Sequence, residues 1–140
     1  MATESDPVEA TGGCACGSVR FRVSARPTRV SICHCMTCRR IHGNVFAGYA
    51  MFVRGAVEFS GPTQAWESSP GARRHFCPTC GSVAFMEYLD KDELDLPLGA
   101  FDRVGLYEPS YELWCCHKEP WLPKGVRTEY EENRPTPVAS

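Results

Sequence analysis

The groups able to do chemistry in this chain are nine cysteines among 140 residues. They stand as Cys14-x-Cys16, Cys33-x-Cys35-x-x-Cys38, Cys77-x-x-Cys80 and the adjacent pair Cys115-Cys116. Tetrahedral zinc, with Zn–S near 2.3 Å, needs thiolates about 3.8 Å apart. Residues i and i+2 of a strand share a face, and residues i and i+3 of a tight turn converge, so each of the first three motifs is a usable chelate. Nine is odd, so a fully paired disulfide framework would leave one thiol over. Residues 1–10 carry Glu4, Asp6 and Glu9 without an apolar run, unlike a signal or transit peptide. The expected setting is therefore the reducing cytoplasm, where clustered cysteines bind metal or react.

Two groupings of the cysteines compete. Cys16-Gly17-Ser18-Val19-Arg20-Phe21 echoes Cys80-Gly81-Ser82-Val83-Ala84-Phe85. In each a cysteine is followed by glycine, which permits the positive φ of a tight thiolate-presenting turn, and then by a strand. The echo pairs Cys14 and Cys16 with Cys77 and Cys80 as a closed four-thiolate site. Cys33, Cys35 and Cys38 then form a second site with an open fourth position. Closed sites are structural, and three ligands with an opening are the usual catalytic arrangement. The competing grouping joins Cys35, Cys38, Cys77 and Cys80 as a zinc ribbon and leaves the other cysteines unused.

The elements that must position these groups are mostly strands. Val19, Phe21 and Val23 alternate with polar residues, and Val30 and Ile32 flank Ser31. Residues 45–53 form a longer apolar run that suits a central strand but is too short to span a bilayer. Residues 57–59, 83–88, 94–96 and 111–116 are further strands. Gly12-Gly13, Gly55, Gly61-Pro62, Ser69-Pro70-Gly71 and Pro109-Ser110 read as turns. The single helical turn expected is residues 36–42. Twelve glycines and eleven prolines also favour short elements over a helical bundle. The expected architecture is all-β: one domain over residues 12–130, with loose tails at 1–11 and 131–140. Fifteen basic against seventeen acidic residues, a net charge of −2 with no basic run, argues against nucleic-acid binding.

The runs GGCACGSVRFRV (12–23), CHCMTCRR (33–40), SSPGARRHFCPTCGS (68–82) and EPWL (119–122) resemble the glutathione-dependent formaldehyde-activating enzyme family, which includes centromere protein V. The resemblance implies an Mss4-like β-tent of small coiled antiparallel sheets around a four-cysteine zinc site. It implies two zinc ions per chain: Cys14, Cys16, Cys77 and Cys80 on the structural one, and Cys33, Cys35 and Cys38 on a catalytic one. The implied activity is that of a carbon–sulfur lyase joining glutathione and formaldehyde as S-hydroxymethylglutathione. The expected partner is a small thiol such as glutathione, with no nucleic acid and no membrane; a homodimer is left open.

Around the cysteines, Arg39-Arg40 and Arg73-Arg74 are candidates to hold the carboxylates of a thiol substrate, since guanidinium forks match carboxylates. The alternative for them is solvated surface charge. Trp114 and Trp121 are candidates to wall a pocket, with core packing the stronger reading. His34, lying between two ligands, points away from the metal on an extended segment; His42 and His75 are candidate proton shuttles without a partner legible in the sequence. Cys115 and Cys116 on a strand would face opposite ways, so at most one reaches an open metal position, and buried packing is the simpler reading. A zinc-stabilised protein-binding module without catalysis, and a cysteine-based redox or metal sensor, are the alternative functions.

Overall fold

The computed structural model describes Thr3 and residues 6–135; Pro137 and the rest of the expected C-terminal tail beyond residue 135 lie outside the described residues. The elements are β1 (Ala10–Gly13), β2 (Arg20–Val23), β3 (Arg29–Cys33), α1 (Met36–His42), β4 (Ala47–Val53), β5 (Val57–Ser60), β6 (Gln64–Ser69), β7 (Ala72–Phe76), β8 (Val83–Tyr88), β9 (Glu93–Pro97), β10 (Tyr111–Leu113) and β11 (Thr128–Glu129). Among the described residues the protein is all-β with one short α-helix. Three strands form a small sheet in the order β1-β2-β5, and eight form a larger open sheet in the order β11-β10-β3-β4-β9-β8-β7-β6. Pairing is antiparallel except where β10 runs parallel to β3 and to β11.

Strand β4 shows how one apolar run serves two sites. Ala50 and Phe52 point to one face, where they pack with Phe21 and Val23 of the small sheet, Val30, Leu94, Leu96, Phe101 and Tyr107. Ala47, Tyr49 and Met51 point to the other face and pack with Cys33 and Cys38. Side chains alternate at period two, so a strand buried on both faces must be apolar throughout. The seven-residue α1 covers this second face. Cys35 caps it, accepting the Cys38 N–H at 3.3 Å, and Gly43 ends it with φ 58°.

Four sequence expectations differ from the structure. Gly12 and Gly13 are not a turn but part of β1, because that strand passes against its neighbours too closely for a side chain. A Cβ on Gly12 would lie 2.3 Å from the Ala100 carbonyl oxygen and 2.3 Å from the Phe21 ring. Strands β6 and β7 are not legible in the sequence because β6 is an edge strand exposed on both faces and has no polar–apolar alternation to read. The strand expected over residues 111–116 stops at Leu113: Trp114 takes a positive φ of 56° and turns Cys115–His117 into a 3₁₀ turn. Finally, Glu131 and Glu132 are not detached, since their carbonyls accept the backbone N–H groups of Cys116 and Trp114.

The register also buries a charge. Asp95 lies opposite Met51 on one side and Met86 on the other, on the cysteine-bearing face, and is 9 % exposed. Burial, with the Glu93 charge beside it, pushes its carboxyl up to about 7. The folded state therefore holds a proton that the unfolded chain releases near pH 4. Stability from this group is full below that pH and is lost as pH rises to about 7. Asp95→Asn is expected to be more stable than the parent at pH 8 by about 1–4 kcal/mol, with the difference vanishing at pH 4. Parallel urea-unfolding curves across this pH range would contradict it.

Candidate functional site

The cysteines gather in two clusters, and the fold supplies the reason. The β1–β2 connection carries Cys14 and Cys16, and the β7–β8 connection carries Cys77 and Cys80. Both are built alike: the N–H of Cys14 donates to the Val19 carbonyl and the N–H of Cys77 to the Ser82 carbonyl, closing loops of the same span. Gly17 and Gly81 hold the left-handed turns, with φ 84° and 78°. The four sulfurs lie within 4.8 Å of one another, with Cys14–Cys16 at 3.6 Å and Cys16–Cys77 at 3.8 Å. All nine cysteines are free thiols. Those separations suit four thiolates on one tetrahedral ion, so this donor set fits zinc. Ser18 Oγ lies 3.2 Å from both Cys16 and Cys77, and Ser82 Oγ lies 3.2 Å from Cys80. The Val19 N–H, followed by the neighbouring thiols and Ser18, holds the Cys14 thiol down to about 7. Ser82, through its hydroxyl and backbone, holds Cys80 down to about 5.

The second cluster is Cys33, Cys35 and Cys38, also with sulfurs within 4.8 Å of one another. Cys33 ends β3, and Cys35 and Cys38 sit at the start of α1. Cys33 and Cys38 are buried, and Cys35 is partly exposed. Hydrogen bonds with Cys33 and Cys38 keep the Cys35 thiol well below the usual thiol range, and those with Cys35 and Cys38 drive the Cys33 thiol well above it. The three sulfurs thus share charge as a unit. Cys38 has two donors beyond the cluster: Tyr49 Oη at 3.3 Å and Arg74 Nη1 at 3.7 Å. Arg74 also donates to Tyr49 Oη at 3.4 Å and, through Nε, to Ser68 Oγ at 3.1 Å, and His42 Nε2 lies 2.9 Å from Tyr49 Oη. A half-buried guanidinium therefore faces a cluster that becomes anionic when its thiols ionise.

Tyr49 and this role of Arg74 were missed in the sequence. Arg73 and Arg74 are adjacent on a strand and must face opposite ways. The pairings Arg74↔Met86↔Asp95↔Met51 put Arg74 on the cysteine face, and Arg73 is exposed on the other. Parity along β4 places Tyr49 likewise. A cavity of about 310 Å³ opens beside Cys35, lined by Arg74, Ser68, Ser69, Thr37, Trp114 and His117, with no acidic residue in its wall among the described residues. Another cavity, about 770 Å³, lies between the four-cysteine turns and the end of α1, and no sulfur of the second cluster lines it.

None of Arg39, Arg40, Arg73 and Trp121 lines the cavity at Cys35. Arg39 pairs with Glu119 at 2.7 Å and donates to the Val45 carbonyl, tying α1 to the segment after Cys116. Arg40 is exposed, and Trp121 is 68 % exposed. His34 is buried against Glu112 at 2.7 Å, and Cys115 joins these two in a third cluster. That cluster is an ion-pair network and a poor metal site. Arg127 and Lys118 already give Glu112 the positive charge an ion would bring. Burial, with the Glu129 and Glu112 charges, pushes the Cys115 thiol up to about 11.

The model of the family described as glutathione-dependent formaldehyde-activating enzyme matches residues 9–117, most of the chain. The chain belongs to this family. A Halomonas elongata protein carrying the name of a glutathione-dependent formaldehyde-activating enzyme is 36 % identical over 87 residues, 54 % of each chain. An uncharacterized lyase of Schizosaccharomyces pombe is 28 % identical over 80 residues, 57 % of this chain and 58 % of that one. The chain thus matches just over half the length of these curated relatives. The crystal structure of a Rhodobacter sphaeroides protein shares the fold, with a TM-score of 0.57 and 22 % identity over 68 % of this chain and 90 % of that one. Among the described residues, no helix is long and apolar enough to cross a membrane.

The left-handed turns give a test that does not depend on metal. A Cβ on Gly17 or Gly81 would meet nothing within 4 Å, so substitution costs only backbone strain. Gly17→Ala and Gly81→Ala should each lower stability by about 1–2 kcal/mol, read as a shift of the urea midpoint. Unchanged midpoints would show that the turns relax to negative φ.

Proposed function

We propose that this protein is a zinc-dependent enzyme of the carbon–sulfur lyase type, acting on a thiol and an aldehyde or on their adduct, with glutathione and formaldehyde as the family's named pair. The observation that carries this reading is the three-cysteine cluster whose one partly exposed residue, Cys35, lines a cavity of about 310 Å³ together with the Arg74 guanidinium. Cys14, Cys16, Cys77 and Cys80 would hold a structural zinc; Cys33, Cys35 and Cys38 would hold a second one with room for a fourth ligand. Zinc bound by three thiolates is a weak Lewis acid suited to keeping an incoming thiol ionised at neutral pH.

The chain's own residues do the rest. Tyr49 and Arg74 donate to Cys38, which spreads the negative charge of the thiolates and fixes that ligand's direction. The Nη2 group of Arg74 has no hydrogen-bond partner among the described residues and is free to meet an anionic group on the substrate. Ser68, Ser69 and Thr37 add hydroxyls, and the absence of acidic residues in the wall makes the cavity favour anions. Holding thiol and aldehyde together in this small space supplies the proximity that speeds C–S bond formation.

The two clusters should differ in what their loss does. A structural four-thiolate zinc contributes on the order of 10 kcal/mol, as much as a whole domain's net stability. Cys77→Ser, at a fully buried sulfur, should therefore abolish the β-type circular dichroism. Cys35→Ser should keep the fold while the metal content falls from two zinc ions to one. If both variants unfold alike, the division of roles is wrong.

Activity is read from exchange among formaldehyde, glutathione and their hemithioacetal, followed by magnetisation transfer because the uncatalysed reaction is already appreciable. The zinc-loaded protein should accelerate exchange, and Cys35→Ser should return it to background. Arg74→Gln should raise the glutathione concentration needed by roughly tenfold, the scale of one lost charge-assisted hydrogen bond. Fully loaded protein without any effect on the exchange rate would overturn the reading and leave a zinc-stabilised binding module.

A further inference from the structure

Joining a thiolate to an aldehyde leaves a negative oxygen that needs a proton, and neither the cysteines nor Arg74 is suited to give one. The chain has four histidines. Three are committed elsewhere. His34 is buried against Glu112 at 2.7 Å. His42 binds Tyr49 Oη at 2.9 Å and lines the 770 Å³ cavity, not the one beside Cys35. His75 lies between Glu87 at 2.8 Å and Thr63 at 3.3 Å, stacked on Phe85, on the strand face away from Arg74. The fourth, His117, lines the cavity that contains Cys35 and Arg74. Its ring is exposed and makes no hydrogen bond to the described residues. The ring lies parallel to Trp114, 5.9 Å between centroids and 14° between planes.

The backbone holds it there. The 3₁₀ turn begins at the left-handed Trp114, whose carbonyl accepts the His117 N–H at 3.0 Å. Trp114 Nε1 donates to Asn133 Oδ1, which fixes the indole the imidazole rests on. Arg39 Nη1 reaches the His117 carbonyl from α1 at 3.5 Å. The turn is thus tied on one side to the helix bearing Cys35 and Cys38, and on the other to the segment ending at residue 133.

We propose that His117 is the acid–base residue of the three-cysteine site, which deepens the thiol–aldehyde reading and rests on it. In the forward direction the thiolate sulfur bonds to the carbonyl carbon, the C=O π pair moves to oxygen, and that oxygen takes the proton of the His117 imidazolium. In reverse, neutral His117 removes the hydroxyl proton, the C=O bond re-forms, and the sulfur leaves with the C–S electron pair. No other reagent enters the balance. Imidazole is the side chain whose ordinary titration falls near neutrality, as a group working in both directions requires. The charges around it are the Arg74 guanidinium and the Cys35 sulfur across the cavity, and Arg39, neutralised by Glu119, at its carbonyl. Lys118 is turned away to Glu112 and Glu129, and Glu131 and Glu132 meet the turn through their carbonyls.

The test uses the full zinc-loaded chain. His117→Gln should keep the fold and both metal ions yet lower the maximal exchange rate roughly 100-fold, with little change in the glutathione concentration needed. It should also flatten the limb of the pH–rate profile near neutrality, and imidazole in the buffer should restore part of the rate to His117→Ala. Independently of activity, addition of glutathione should move the His117 Hε1 resonance and leave that of His75 in place. An unmoved His117 resonance, or a pH profile in His117→Gln equal to the parent's, overturns the proposal. Absence of any acceleration by the parent protein would instead overturn the thiol–aldehyde reading, and the resonance shift would still decide whether His117 faces the bound thiol.

Discussion

Everything in this fold is arranged around four sulfurs that meet across a separation of about 60 residues, as in the 3.8 Å approach of Cys16 to Cys77. One pair sits on a turn of the small sheet and the other on a turn of the large sheet, so the cluster clamps the two sheets at one end. The apolar side chains between them, Phe21, Val23, Phe52 and Leu96 among them, close the rest of the sandwich. Thiolates this close repel one another, and the arrangement is stable only with positive charge among them. The surrounding donors, Ser18, Ser82 and the Val19 N–H, begin that compensation. A divalent cation held by the four sulfurs would complete it.

The second cluster depends on the first at one remove. Clamping the β7–β8 turn fixes the register of β7 against β8, and that register decides that Arg74 faces the cysteines and Arg73 does not. The same sheet carries Tyr49 and Asp95 to that face. The result is a site with its charges sorted: a sulfur, a guanidinium and hydroxyls line one cavity, with no carboxylate in the wall among the described residues. Asp95, on the same face, is buried and pushed toward its neutral form, to about 7, so its negative charge there is reduced compared with an ordinary carboxylate.

The C-terminal third of the domain encloses this site through ionic links. Arg39 to Glu119 bridges helix and strap, and Glu112 gathers His34, Lys118 and Arg127 at the rear of the cysteine loop. Such buried charge networks contribute less to net stability than apolar packing, but they fix orientation. Here the orientation matters: His34 lies between two cysteines of the cluster, and its anchoring sets the direction of the chain as it passes from Cys33 to Cys35.

The sequence by itself determined the chelating cysteine motifs, the all-β class and the helix at residues 36–42, and it offered a set of four and a set of three cysteines beside a competing ribbon; the structure gathers the sulfurs in the sets of four and three. These are legible because they depend on local spacing: chelating motifs, glycines at left-handed turns, and side-chain alternation along strands. The family motif carried the same grouping. Tertiary structure alone decided which arginine, tyrosine and histidine attend the cysteines. Arg73 and Arg74 are indistinguishable in a sequence until strand register assigns their faces. Tyr49 reads as one more apolar residue of a central strand. His117 stood unnoticed because the expected strand over residues 111–116 hid the turn at Trp114 that brings it round to the cavity. Contacts among residues 38, 49 and 74 depend on strand pairings far apart in the chain, and a one-residue slip in any of those pairings would turn the side chains to the opposite face.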